Sequence, residues 1–160
     1  MNGPLVLKFG GELLETPADR AVVVARFAAA PRRVRDVLPR AAERAVPAGE
    51  WGPRETLRHL IAVEREVWWV RLSALRTEDE PHWTWTEPGL EPGLGDATLD
   101  ELAARFGEAR ARSIGIVDSF DDAEWTRTGV HETYGRLDVG GLLRIATDHD
   151  AEHLRSLGPD

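Results

Sequence analysis

Apolar residues recur at spacings of three and four along four separate stretches, and that periodicity restricts the chain to a helical architecture. The first stretch runs from about Asp19 to Arg44 on Val22, Val23, Phe27, Val34, Val37 and Leu38, with Pro31 and Pro39 expected to kink or break it. The second, about Pro53 to Arg76, starts on a proline, which suits a first helical turn because its missing N–H would be unpaired there anyway. Its stripe of Leu57, Leu60, Ile61, Val67, Trp68, Leu72 and Leu75 contains one acid, Glu64. A third helix is predicted over about Thr98 to Phe120, where Thr98 and Glu101 carry a capping-box signature. The fourth, about Asp138 to Leu157, ends at Gly158 and Pro159, ordinary helix terminators.

Between the second and third helices lies "TEDEPHWTWTEPGLEPGLGDA", long, rich in Pro and Gly, and without a periodic pattern. A connection of that length within a compact domain is either functional or a crossover between parallel helices. The 160 residues suit one domain, 1–160, with 1–17 as an N-terminal arm. That arm contains "LVLKFGGELL", which reads like a strand entering a glycine turn, but ten residues do not make a doubly wound sheet when the rest reads as helix.

Charge and composition exclude several functions. A net charge of -8 opposes tracking of phosphates, since nucleic-acid affinity comes largely from Lys and Arg displacing counterions. With no Cys, thiol nucleophiles, disulfides and zinc ribbons are excluded. No window reaches the roughly 18 apolar residues of a membrane span, and "MNGPLVLKFGG" lacks the cationic lead and apolar run of a signal peptide. A cytoplasmic protein without nucleic-acid or membrane partners is expected.

The histidines carry the functional signal. His149 and His153 stand four apart and continue the line of Leu142, Ile145 and Ala146, the face that should enter the core. They are either two core histidines satisfied by hydrogen bonds or half of a metal site. Burying two stacked imidazoles unpaired costs several kcal/mol, whereas rings one turn apart can both reach one ion about 2 Å away. His59, on the facing helix, is the natural third ligand. Glu55 is placed to accept the free N–H of His59 as outer carboxylates do for metal-bound histidines, and Glu66 reads as part of a solvated face. His82 and His131 read as loop surface residues.

"WGPRETLRHLIAVER" (51–65), the long crossover and "GGLLRIATDHDAEHL" (140–154) together resemble the DinB/YfiT-like metalloenzymes, in which a Trp opens helix two, a Glu is followed one turn later by a His, and the last helix ends in His-x-x-x-His. The resemblance extends over about 18–157 and implies an all-α, up-down-down-up four-helix bundle with the long crossover between helices two and three. It also implies a divalent metal on His59, His149 and His153, and a homodimer. Imidazole ligation suits zinc first, with nickel or iron also compatible. Three ligands leave a coordination position open, the catalytic rather than the structural pattern. The expected function is thus a metal-dependent enzyme acting on a small molecule, either a transferase using a low-molecular-weight thiol or a hydrolase. The alternative is a non-catalytic metal- or ligand-binding module. No catalytic residue is assigned. Trp83 and Trp85, in the polar crossover, are placed to roof a pocket or to form a dimer contact.

Overall fold

The computed structural model describes residues 17–158; the first sixteen residues of the expected arm lie outside them. The described chain is mostly helical and forms a four-helix bundle. The first bundle helix is divided into α1 (Pro17–Ala28) and α2 (Ala30–Glu43). The break at Ala29 follows from Pro31, which has no N–H to give to the carbonyl four residues back, at Phe27. That carbonyl is not wasted, because the Arg110 guanidinium donates to it from another helix. Pro39, expected to act like Pro31, sits inside α2 without ending it. It is exposed, so the bond it removes leaves a carbonyl on the side where water can reach it.

The second bundle helix comprises α3 (Pro53–Val63), a π turn (Glu64–Trp68) and α4 (Trp69–Thr77). The Trp69 N–H reaches back five residues to the Glu64 carbonyl, inserting one extra residue into the helical turn. α5 (Leu99–Asp118) opens on the expected capping box: Thr98 Oγ1 accepts from the Glu101 N–H at 3.2 Å, and Glu101 Oε2 accepts from the Thr98 N–H at 2.7 Å. After the short α6 (Asp122–Trp125), α7 (Val139–Leu157) starts on Asp138, whose Oδ1 accepts from the Gly141 N–H at 2.7 Å.

Three short strands fall outside the sequence expectation. β1 (His82–Trp83) lies in the crossover and pairs in parallel with β2 (Gly129–His131), which pairs antiparallel with β3 (Gly135–Leu137). Segments of two and three residues are too short to show a period, and their partners are far apart in sequence. The pairing needs a glycine: a Cβ at Gly129 would stand 2.4 Å from Trp83 Cη2 and 2.8 Å from the Pro81 carbonyl oxygen. The Trp83 ring therefore lies over β2 and packs against the core.

One apolar cluster joins α1, α4, the end of α5 and the start of α7 through Phe27, Leu72, Val117, Leu142 and Ala146. The other joins α2, α3 and α5 to the end of α7 through Val34, Leu57, Leu60, Phe106 and Leu154. Between them lies a buried polar group. Arg110 donates to Glu64 Oε1 through Nε at 2.7 Å and to Asp150 Oδ2 through Nη1 at 2.8 Å, and the Ser113 hydroxyl donates to the other Glu64 oxygen. Phe27 places its ring 3.8 Å from the guanidinium carbon. Burial raises the Glu64 and Asp150 carboxyls against the pull of Arg110, while the two carboxylates outweigh burial at Arg110 and hold its pKa above the ordinary value.

Removing one member of such a group leaves charge buried without compensation. Arg110→Met is therefore expected to destabilise the fold by about 3 to 5 kcal/mol. Arg136→Met, which breaks the half-exposed ion pair with Glu80, should cost no more than about 1 kcal/mol. Urea denaturation of the two variants checks the contrast, and equal midpoints would refute it.

Candidate metal centre

His59 lies one turn before the π turn, on the inner face of α3, and is fully buried. Its Nδ1 donates to the Pro88 carbonyl at 2.9 Å, with the Gly89 carbonyl at 3.4 Å, so the crossover fixes the ring as the Nδ1–H tautomer. The lone pair is then on Nε2, which makes no hydrogen bond among the described residues. Glu87 Oε1 stands 3.8 Å from it.

His149 and His153 come from α7, one turn apart, with their Nε2 atoms separated by 3.2 Å. The His59 ring centroid is 5.5 Å from that of His149 and 4.8 Å from that of His153. One nitrogen from each of the three rings falls within 4.8 Å of the others. Two imidazole nitrogens sharing a tetrahedral ion at about 2.0 Å stand roughly 3.3 Å apart, so the α7 pair already has the spacing of co-ligands. Burial, helped by the neighbouring His153 and His59 rings, pushes the His149 pKa down to about 3, and burial also lowers His153. Both rings are uncharged at neutral pH, with lone pairs available. The orphaned His59 Nε2 and this convergence fit a divalent ion that prefers nitrogen donors.

Two indoles flank the rings. Trp51, half exposed, places its ring 5.0 Å from His59 and stacks at 18° on His153, 6.4 Å away. Trp68 meets His149 edge-on at 6.3 Å. A cavity of about 340 Å³ opens beside His59 and His149, walled by Val63, Val67, Trp68, Ile145, Trp85 and Tyr134 among others.

The remaining sequence expectations divide. Trp85 does line the cavity, and Glu66 is solvent-exposed as expected. Glu55 does not serve His59: its Oε2 accepts from the Gly52 N–H at 3.0 Å and caps α3, because a residue at the third helical position reaches its own N-terminus more easily than a ring one turn on. The Pro88 carbonyl takes the part expected of Glu55. His82 is exposed, but His131 is buried under the Tyr134 ring, 4.7 Å between centroids, and its Nδ1 accepts from the Thr133 N–H. Strand pairing draws it inside, and no periodicity in its loop announced that. Arg71, Tyr134 and Asp150 were also missed. Only Asp150, between the two histidines and on the buried side of α7, left a trace in the sequence.

The family model of the DinB superfamily matches residues 12–157. The chain belongs to the DinB superfamily. Among solved structures, this DinB-superfamily chain is similar to YfiT from Bacillus subtilis, with a TM-score of 0.69 at 14% identity, covering 97% of this chain and 94% of that one. YfiT is described as a probable metal-dependent hydrolase with an unusual four-helix bundle topology. At that identity the likeness concerns the fold. Comparison with curated proteins finds no match.

The Pro88 contact makes a prediction that requires no metal. Nitrogen-15 NMR of the metal-free protein at neutral pH should show His59 as the Nδ1–H tautomer; an Nε2–H ring would contradict the crossover's role.

Proposed function

We propose that this DinB-superfamily protein is a metal-dependent enzyme acting on a small molecule, with His59, His149 and His153 as the ligands of one divalent ion, zinc first and nickel or iron next. The observation that carries the reading is the convergence of three imidazoles, one with its outer nitrogen tied to Pro88, at the edge of an apolar cavity. A structural metal would have a closed protein shell, whereas three ligands leave room for substrate. When bound, the ion supplies a Lewis acid that lowers the pKa of a water or thiol reaching it.

The chain's own residues support this chemistry in distinct ways. Pro88 holds the His59 ring in the ligating tautomer, a constraint of the kind that tunes metal affinity. Trp51 covers the outer side of His59 and His153 and restricts water there. Glu87, with Oε1 3.8 Å from His59 Nε2 and its side chain on the cavity wall, is the proton acceptor we assign to the nucleophile. The chain has no Cys, so a sulfur nucleophile would arrive as a cosubstrate. Transfer to a low-molecular-weight thiol and hydrolysis both use this arrangement, and the description of YfiT favours hydrolysis.

Elemental analysis should find about one divalent ion per wild-type chain and a large loss in His149→Ala; equal contents would return the pair to the role of core histidines. Zinc- and nickel-loaded protein would then be assayed on ester and amide substrates, and on electrophiles with and without bacterial thiols. Thiol-independent cleavage lost in His59→Ala identifies a hydrolase, thiol-dependent consumption a transferase, and full metal without turnover a binding module. In the active assay, Glu87→Gln should lower kcat by about 10² to 10⁴ while leaving metal content unchanged. Loss of metal in that variant would make Glu87 a ligand instead.

A further inference from the structure

The cavity beside the histidines has a second polar feature, one that metal binding does not use. Arg71 reaches its wall from α4 and is only 6% exposed. Its Nη2 donates to the Thr84 carbonyl at 3.0 Å, and its guanidinium carbon lies 5.8 Å from the Trp68 ring and 6.0 Å from the Trp83 ring. Among the described residues Arg71 makes no ion pair. The contrast with Arg110 is direct: that buried guanidinium has two carboxylates. A guanidinium keeps its charge and offers five N–H donors, so Arg71 leaves the wall with positive charge and donors that the fold does not consume.

The surroundings determine what would answer that charge. Burial lowers the Arg71 pKa, and among the described residues the influence that opposes it is Tyr134, not a carboxylate. Glu87, Asp148, Glu152 and a second arginine, Arg155, also line the cavity, but all four are exposed, where water and salt screen them, and Arg71 is the buried charge. Trp68 adds a second unused donor, since its buried Nε1 has no hydrogen-bond partner among the described residues and the residue lines the same cavity. Val63, Val67 and Ile145 make much of the remaining wall apolar. Trp68 meets both Arg71 and His149, so one indole separates the buried cation from the histidine cluster.

We propose that Arg71 is the anion-recognising residue of this cavity and that its ligands are small, largely apolar molecules bearing a carboxylate. The carboxylate pairs with the guanidinium, where planar two-point hydrogen bonding is available. The apolar body lies along Trp68 and Ile145 and carries the reacting end toward His59 and His149. This names the substrate class for the metal-enzyme reading and rests on that reading only for what happens at the histidine end.

Benzoate and benzamide, equal in shape and different in charge, are the probes. They would be titrated into protein freed of metal by a chelator, so that a metal ion cannot supply the carboxylate preference. Calorimetry should show benzoate binding about tenfold or more tighter than benzamide. NMR of the wild type should show the Arg71 Nε–H resonance moving with benzoate and not with benzamide. Arg71→Met should abolish the preference and Arg71→Lys retain part of it. Should Arg71→Met fail to fold, the wild-type affinity ratio and the Arg71 resonance decide. Equal affinities, no binding of either probe, or a preference that survives Arg71→Met would overturn the proposal. Absence of metal from the purified protein would defeat the enzyme reading without touching this titration, so the two failures are separable.

Discussion

The buried guanidinium of Arg110 is the point on which the bundle's geometry depends. It accepts no substitute easily, because it meets four different demands from one position on α5: the Glu64 carboxylate in the π turn, the Asp150 carboxylate on α7, the Phe27 carbonyl freed by Pro31, and the face of the Phe27 ring. Apolar contacts between helices tolerate sliding, since burial is non-directional. A guanidinium with carboxylates on two other helices does not, because each hydrogen bond fixes a distance and an angle. Asp150 directly follows His149 by one residue in sequence, and Glu64 lies five residues beyond His59. The same contacts that set the register of α3 against α7 therefore set how the three imidazoles meet.

The crossover supplies what the helices cannot. Helix-borne histidines can be brought together by packing, but the tautomer of His59 is decided by the Pro88 carbonyl, on a segment with no regular structure. Thr84, in the same crossover, accepts from Arg71, and Trp85 closes part of the cavity wall. The β1–β2 pairing anchors the start of this segment to the loop before α7, with Gly129 permitting the close approach of Trp83. A loop long enough to be costly if idle is thus held at both the strand and the histidine, and the cavity lies under it.

Burial acts in opposite directions at the two polar centres. At Arg110, charge is retained because opposite charge is built in, and the cost of desolvation is offset by directed hydrogen bonds. Around His149 and His153, burial disfavours the protonated form and leaves neutral nitrogen donors facing one another. The first arrangement is a closed structural group; the second keeps buried ring nitrogens, His59 Nε2 and His149 Nδ1, without a hydrogen-bond partner among the described residues.

The four helices were readable from the sequence because their signals are local: apolar spacing, the Thr98–Glu101 capping box, Asp138 before α7 and Gly158 after it. So was the pairing of His149 with His153, since residues four apart on one helix are neighbours whatever the rest of the fold does. The choice of His59 as their companion came from its place on a helix that had to face α7. Relations across sequence gaps were not readable. Glu55 looked free for His59 until the helix start claimed it, His131 looked exposed until β2 paired, and Pro31 and Pro39 looked alike until only one had its orphaned carbonyl met by Arg110. Sequence alone determined which segments are helical and which histidines share a face, because backbone geometry fixes those over a single turn; tertiary structure decided the His59 tautomer, the burial of Arg71 without a carboxylate among the described residues and the fate of each proline, because those depend on partners brought from distant parts of the chain.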